Sequence, residues 1–283
     1  MNLYPGLPHG HWQSFPFLKS SEKFRKEQLD GMGWLLGKEP NFNKAAGTAY
    51  GFLIDTNWCG GRALGEGVNS RESILDAVKD SLGRLSIPKV DFFYIHAPVY
   101  NTPIEEMLIG VDAAYRFGIF RRFGLSNYPP TDVQKVYNVC NANGYVLLTV
   151  YQVNYSAVAR APEEQPFSFL CKLGNAFYAC SPTAGGFFPK ARDQIEAGRT
   201  RFNPDQIEGV SKVERAYRWI VFNSTHNPEG DGVVIGDSRS TQLEQTSLFC
   251  GKGLLGGDVV QKIDTIWQKV KDDIVGALLN NIL

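Results

Sequence analysis

The sequence predicts an α/β fold, a (β/α)8 barrel whose first one or two βα units are missing or rearranged. Three observations lead there. From residue 50 onward, apolar strand-like runs alternate regularly with amphipathic helical stretches, an order that means parallel strands joined by right-handed crossovers. A helical stretch follows every strand, which favours a barrel over an open doubly wound sheet, although the alternation by itself allows both. Six such units follow residue 50, fewer than a closed barrel holds.

Residues 50–56 (YGFLIDT) read as the first strand, and 70–85 as the helix after it, with Asn69 and Glu72 spaced as a capping pair. The run 90–96 (VDFFYIH) is a second strand, bounded by Pro88 and Pro98. Thr102-Pro103-Ile104-Glu105 opens a helix with a capping box and proline at its first position. The strand 120–126 (FRRFGLS) precedes a second capping box, Thr131-Asp132-Val133-Gln134, whose helix ends at Asn143-Gly144. Residues 147–153 (LLTVYQV) form the next strand, followed by a helix with Phe167, Leu170 and Leu173 on one side. Then come a short strand at 176–180, a long helix at 205–222, a strand at 232–236 and helices at 241–250 and 258–279. Upstream, 20–36 reads as a helix, while Pro16 demotes 12–18 to an edge or irregular segment.

Composition narrows the function. The 283 residues carry 29 Lys+Arg and 29 Asp+Glu, a formal net charge of zero. That balance removes the long-range attraction for nucleic acid or an anionic membrane surface. Apolar runs stay well short of the roughly 20 residues of a membrane span, and the prolines and histidines of residues 1–19 are unlike a signal peptide. A soluble cytoplasmic protein is expected. Five widely spaced cysteines without a CxxC pair read as reduced thiols, with neither a disulfide framework nor a metal site. His9 and His11 lack acidic or cysteine partners, and Asn223-Ser224-Thr225 matches a glycosylation triplet by chance.

In a barrel the active site lies at the carboxyl ends of the strands. The residues placed there are Asp55, Asn57 and Trp58, then His96, Ser126 and Asn127, Gln152, Ser181, and the turn Gly236-Asp237-Ser238-Arg239. Any one of them could be a satisfied loop group; one at each strand end favours a pocket. His96 follows the apolar run Phe92-Phe93-Tyr94-Ile95, where an imidazole could act as general acid or as a neutral hydrogen-bond donor to a carbonyl. A core histidine bonded to backbone is the plainer alternative. The stretch 236–245 (GDSRSTQLEQ) joins a strand end, an arginine and a helix start, a combination suited to phosphate. GKGLLG at 251–256 matches GxGxxG but follows a helix rather than a strand, so it is a helix–helix loop and not a dinucleotide fingerprint.

Five segments add a resemblance: KVDFFYIHAP (89–98), TPIEEML (102–108), FRRFGLSNY (120–128), TVYQVNY (149–155) with FYACSPTAGG (177–186), and VVIGDSRSTQLEQ (233–245). In this order and spacing the sequence resembles the aldo-keto reductases, especially the branch of aflatoxin-aldehyde reductases and related biosynthetic enzymes. The resemblance covers about residues 50–283 and implies one barrel domain over 1–283, with 1–49 atypical. It also implies NADPH bound in extended form and reduction of a small carbonyl compound in secondary metabolism. His96 falls at the family's catalytic histidine. Ser126, Asn127 and Gln152 match the residues that hold the nicotinamide carboxamide, Ser181 a residue on the phosphate path, and Ser238, Arg239 and Gln242 the loop that grips the adenosine phosphate.

The departures are specific. Family members use an Asp, Tyr, Lys and His tetrad, and Asn57 stands where the lysine aligns. Making Asp55 the tetrad aspartate would leave no room for the next strand and helix before Val90. The segment carrying the family's Asp and Tyr is missing from residues 1–49, where Tyr4 and Tyr50 lack its context, and Cys180 replaces the aromatic residue that stacks on the nicotinamide. Three readings stay open. One is a reductase whose acid is His96 or a tyrosine of the amino terminus. Another is a cofactor-independent isomerase, dehydratase or cyclase using His96 with Asn127, Gln152 or Tyr94. The last is a non-catalytic barrel that binds a ligand or a protein. Unpaired strand edges in a shortened barrel also predict self-association as a homodimer.

Overall fold

The structure, a computed structural model, describes residues 53–58, 69–85, 87–164, 170, 173–184, 211–225, 230–236 and 240–282. The elements expected at 12–18 and 20–36, Tyr4, Tyr50, most of the first strand's apolar run, and the helix expected around Phe167 fall outside these residues or largely so. The described part divides after Leu148 into two units.

The first unit runs β1 (Thr56–Trp58), α1 (Arg71–Leu85), β2 (Val90–Ile95), α2 (Ile104–Arg116), β3 (Phe120–Ser126) and α3 (Pro130–Asn143). β2 pairs in parallel with both β1 and β3. Apolar residues recur at helical spacing: Ile74, Val78 and Leu85 on α1, Met107, Leu108, Val111 and Ala114 on α2, Val133, Val136 and Cys140 on α3, all buried. Each large aliphatic among them contributes about 1.5–3 kcal/mol by leaving water. Gly144 closes α3 in the left-handed region, φ 64°, the backbone state glycine reaches without a Cβ penalty.

Three expected helix caps do not form here. Ser70, not Asn69, caps α1, its Oγ accepting from Ser73 N at 3.2 Å. Asn69 N instead donates to Thr102 Oγ1 at 2.9 Å, so Thr102 does not cap α2, whose N-cap is Pro103 with no side-chain bond. α3 likewise starts after Pro129 with Pro130 in its first turn and no side-chain cap. The first strand starts later than expected, at Thr56. Asp55 is buried before it and accepts from Phe92 N at 3.0 Å, so it holds the β1–β2 seam instead of facing a pocket.

The second unit contains β4 (Leu148–Asn154), α4 (Ala161–Glu164), β5 (Ala176–Cys180), α5 (Lys212–Arg218), β6 (Gly232–Val233), α6 (Ser240–Gly251) and α7 (Gly257–Ile282). β5 pairs in parallel with β4 and β6. Ser211 caps α5 through Glu214 N at 3.1 Å. α5 passes into a π-helical turn, Trp219–Asn223, closed by Ser224 N donating to Trp219 O at 3.0 Å. A single helix was the expectation there. The core gathers on Tyr155, whose ring lies 5.6 Å from both Phe177 and Trp219. Arg160 lies over the Trp219 ring at 4.2 Å and pairs with Asp264 at 2.8 Å. The expected 232–236 strand shortens to two residues, with Gly232 facing Tyr178; a Cβ at Gly232 would meet that ring at 3.1 Å. Among the described residues, no helix is long and apolar enough to cross a membrane.

Candidate functional site

In the first unit, alternation along β2 sorts the side chains. Phe93 and Ile95 stand level with Thr56 and Trp58, and the Trp58 side chain reaches Asn69 just before α1, so that face turns toward the helices. Phe92 and Tyr94, with rings 5.5 Å apart, therefore occupy the other face, and His96 follows them. Register sets Asn57 and Gly124 on either side of Tyr94. Asn57, Tyr94 and His96 thus share the inner face, with Ser126 two residues beyond Gly124. Trp58 is level with Ile95 and so belongs to the helix side, where its Nε1 donates to Asn69 Oδ1 at 3.0 Å. It does not line the mouth as its sequence position predicted.

His96 is half-buried, and its backbone N–H donates to Trp58 O at 2.8 Å. Burial pushes its pKa below the ordinary histidine value, so the imidazole is neutral at pH 7, with one nitrogen a donor and the other an acceptor. The next strand end supports it. Asn127 Nδ2 donates to His96 O at 2.8 Å and to Ser126 Oγ at 3.0 Å. These bonds fix which end of the amide is which, because a carbonyl can only accept. Asn127 sits at φ 61°, a left-handed conformation that asparagine tolerates better than most residues. What remains is a donor, the Ser126 hydroxyl hydrogen, beside an acceptor, Asn127 Oδ1. A primary carboxamide offers the complementary pair, so these two residues fit a nicotinamide carboxamide.

In the second unit, Tyr151 pairs with Phe177, and Phe177 faces Tyr155 and the helical Trp219 side. Gln152, Asn154, Tyr178 and Cys180 therefore share the opposite face. Gln152 is half-buried on β4. Ser181 follows β5 at φ 57°, and its carbonyl accepts from Ala184 N at 2.8 Å. Burial pushes the Cys180 thiol up to about 11, which the neighbouring Ser181 hydroxyl only partly offsets. A protonated thiol is a poor nucleophile. Gln242 is exposed on the first turn of α6, while Ser238 and Arg239 lie outside the described residues. Sequence reasoning missed Asn154, although the alternation YQVN already places it on the face of Gln152.

A family model described as "Aldo/keto reductase family" matches residues 42–268. The chain belongs to this family. Its architecture is therefore that family's (β/α)8 barrel, of which the described residues supply six strands alternating with helices. An aldo-keto reductase of Pseudocercospora fijiensis is 33% identical over 234 residues, covering 72% of this chain and 79% of that protein. The oxidoreductase sirO of Leptosphaeria maculans is 29% identical over 236 residues, covering 74% and 72%. Aflatoxin B1 aldehyde reductase member 2 of Mus musculus is 33% identical over 234 residues, covering 70% and 64%. The aldo/keto reductases are oxidoreductases that generally use NAD(P)H.

Proposed function

We propose that this aldo/keto reductase binds NADPH and reduces the carbonyl of a small aldehyde or ketone slowly, with neutral His96 donating a hydrogen bond to the carbonyl oxygen and water supplying the proton. The open donor and acceptor of Ser126 and Asn127, next to His96, carry the reading. Bound at that pair, the nicotinamide would supply the hydride. Ser126 and Asn127 orient its carboxamide. The His96 imidazole presents its N–H to the carbonyl oxygen that gains negative charge. Asn57 is neutral where the family resemblance places a lysine, so it can donate a hydrogen bond but lacks the positive charge that would strongly lower a phenol's pKa. Losing one proton-transfer role costs about 10²–10⁴-fold in rate, hence the slow reduction. The names of the relatives, an aflatoxin aldehyde reductase among them, support an aldehyde substrate, and secondary metabolism is the setting we infer.

Titration with NADPH, followed by quenching of tryptophan fluorescence, tests the first half. Saturable quenching that weakens at least tenfold in Ser126→Ala is the expected result, and no quenching would sink the reading. Aldehyde turnover measured with and without NADPH tests the second half. Turnover that needs NADPH and drops in His96→Ala supports the reductase. Turnover that needs no nicotinamide yet disappears in His96→Ala would replace it with cofactor-independent acid–base chemistry.

A further inference from the structure

On β4, Asn154 lies on the same face as Gln152 and level with Cys180 of β5. Its Oδ1 is closed off from solvent and has no hydrogen-bond partner among the described residues; the adjacent thiol does not donate to it. Native structures rarely leave such an acceptor empty, because a carboxamide oxygen removed from water without a donor costs free energy that a bound donor recovers. Position tells which donor. Asn154 is one pleat repeat, roughly 6.6 Å, beyond Gln152 toward the carboxyl end of the strand, the end from which ligands reach a barrel site. Gln152 is the deeper group of the two.

We propose that Asn154 Oδ1 accepts a hydrogen bond from a hydroxyl group of the carbonyl substrate, which makes hydroxylated aldehydes and ketones the preferred class. The carbonyl part of this assignment rests on the reductase reading above, whereas recognition of the hydroxyl needs no hydride. A site built to bond a hydroxyl discriminates against the analogue lacking it, since the buried acceptor is then left empty.

Calorimetric titration with benzaldehyde and with the 2-, 3- and 4-hydroxybenzaldehydes, in the absence of nucleotide, reads that preference directly. The wild-type protein should bind at least one hydroxylated isomer about tenfold more tightly than benzaldehyde. Asn154→Leu should level the two and fold as stably as wild type, because it removes an acceptor that has no partner. Asn154→Asp, which keeps an acceptor, should retain the preference. No preference in wild type, no measurable binding of any of the four aldehydes, or a preference that survives in Asn154→Leu would overturn the proposal. So would a tenfold loss of NADPH affinity in Asn154→Leu with aldehyde preference unchanged, since the donor would then be the nicotinamide carboxamide. Failure of NADPH to bind the wild-type protein counts against the reductase reading alone, and the aldehyde titrations stand without it.

Discussion

The Asn127 carboxamide donates to the His96 backbone carbonyl across 2.8 Å, so the residue after β3 holds the residue after β2. The two strand ends are 31 positions apart in sequence, yet this bond and the β2–β3 ladder give them one geometry. Asn127 makes it from the left-handed region, φ 61°. Strain of that kind persists only where surrounding bonds over-determine it.

Replacing Asn127 with alanine removes both side-chain bonds and leaves a Cβ residue in that conformation. The expected loss of stability is about 1–3 kcal/mol. Asn127→Gly loses the same bonds but relieves the backbone, so it should be the more stable of the two variants. Chemical denaturation of both checks this. An alanine variant as stable as wild type would show that the bond to His96 contributes nothing.

His96 gives a pH prediction whose sign follows from burial. Its folded pKa lies below the unfolded value, so above about 6.5 both states are neutral and stability is complete. As pH falls through about 6.5 the unfolded chain takes up the proton first, and stability is lost until the folded pKa is reached. His96→Gln removes this contribution. The difference in unfolding free energy between wild type and variant should therefore stay level from pH 7.5 to about 7 and shrink as the pH falls through about 6.5 toward 5. A constant difference over that range would contradict the assignment of a neutral, buried imidazole.

β3 and β5 begin and end where the sequence places them, because a short run rich in apolar and aromatic residues, bounded by turn residues, is a local signal. Gly144 was equally legible, since only its own φ mattered. The capping boxes were not. Thr102 has the right residue type at the right offset, but Asn69 N reaches its hydroxyl from 33 positions away, and no local rule contains that contact. Asp55 and Trp58 show the same limit. Trp58 does end β1, whereas Asp55 lies just before its start, and their roles depend on Phe92 N and Asn69 Oδ1. For the inner face, alternation made Tyr94 and His96 partners, and only the register of β1 added Asn57 to them.

Gly110 of α2 sets two effects against each other. Alanine is the better helix former by about 1 kcal/mol. A Cβ at Gly110, however, would lie 2.9 Å from the Arg71 Cα and 3.2 Å from Ile74 Cδ1. Ile74 could adjust, but Arg71 Cα is backbone at the start of α1. Overpacking against a fixed neighbour costs about 1–3 kcal/mol, so Gly110→Ala should be net destabilising, by up to about 2 kcal/mol in thermal or chemical unfolding. A variant more stable than wild type would mean that α1 and α2 can separate without loss.

Cys180 is half-buried at a strand end beside Ser181, a setting in which a reactive thiol would be easy to imagine. Its pKa of about 11 argues the reverse. At pH 8 roughly one molecule in a thousand carries the thiolate at that pKa, against roughly a quarter for a free cysteine of pKa about 8.5. Since alkylation proceeds through the thiolate, Cys180 in the native protein should react with iodoacetamide at least about a hundredfold more slowly than in urea. Peptide mapping of protein quenched at successive times separates this cysteine from the other four. Burial from bulk reagent would also slow alkylation, so the pH dependence is the deciding readout. The native rate should keep climbing tenfold per pH unit up to pH 10, because thiolate is still being formed. A native rate that levels off near pH 9 would place the thiol pKa in the ordinary range and return Cys180 to the set of candidate nucleophiles.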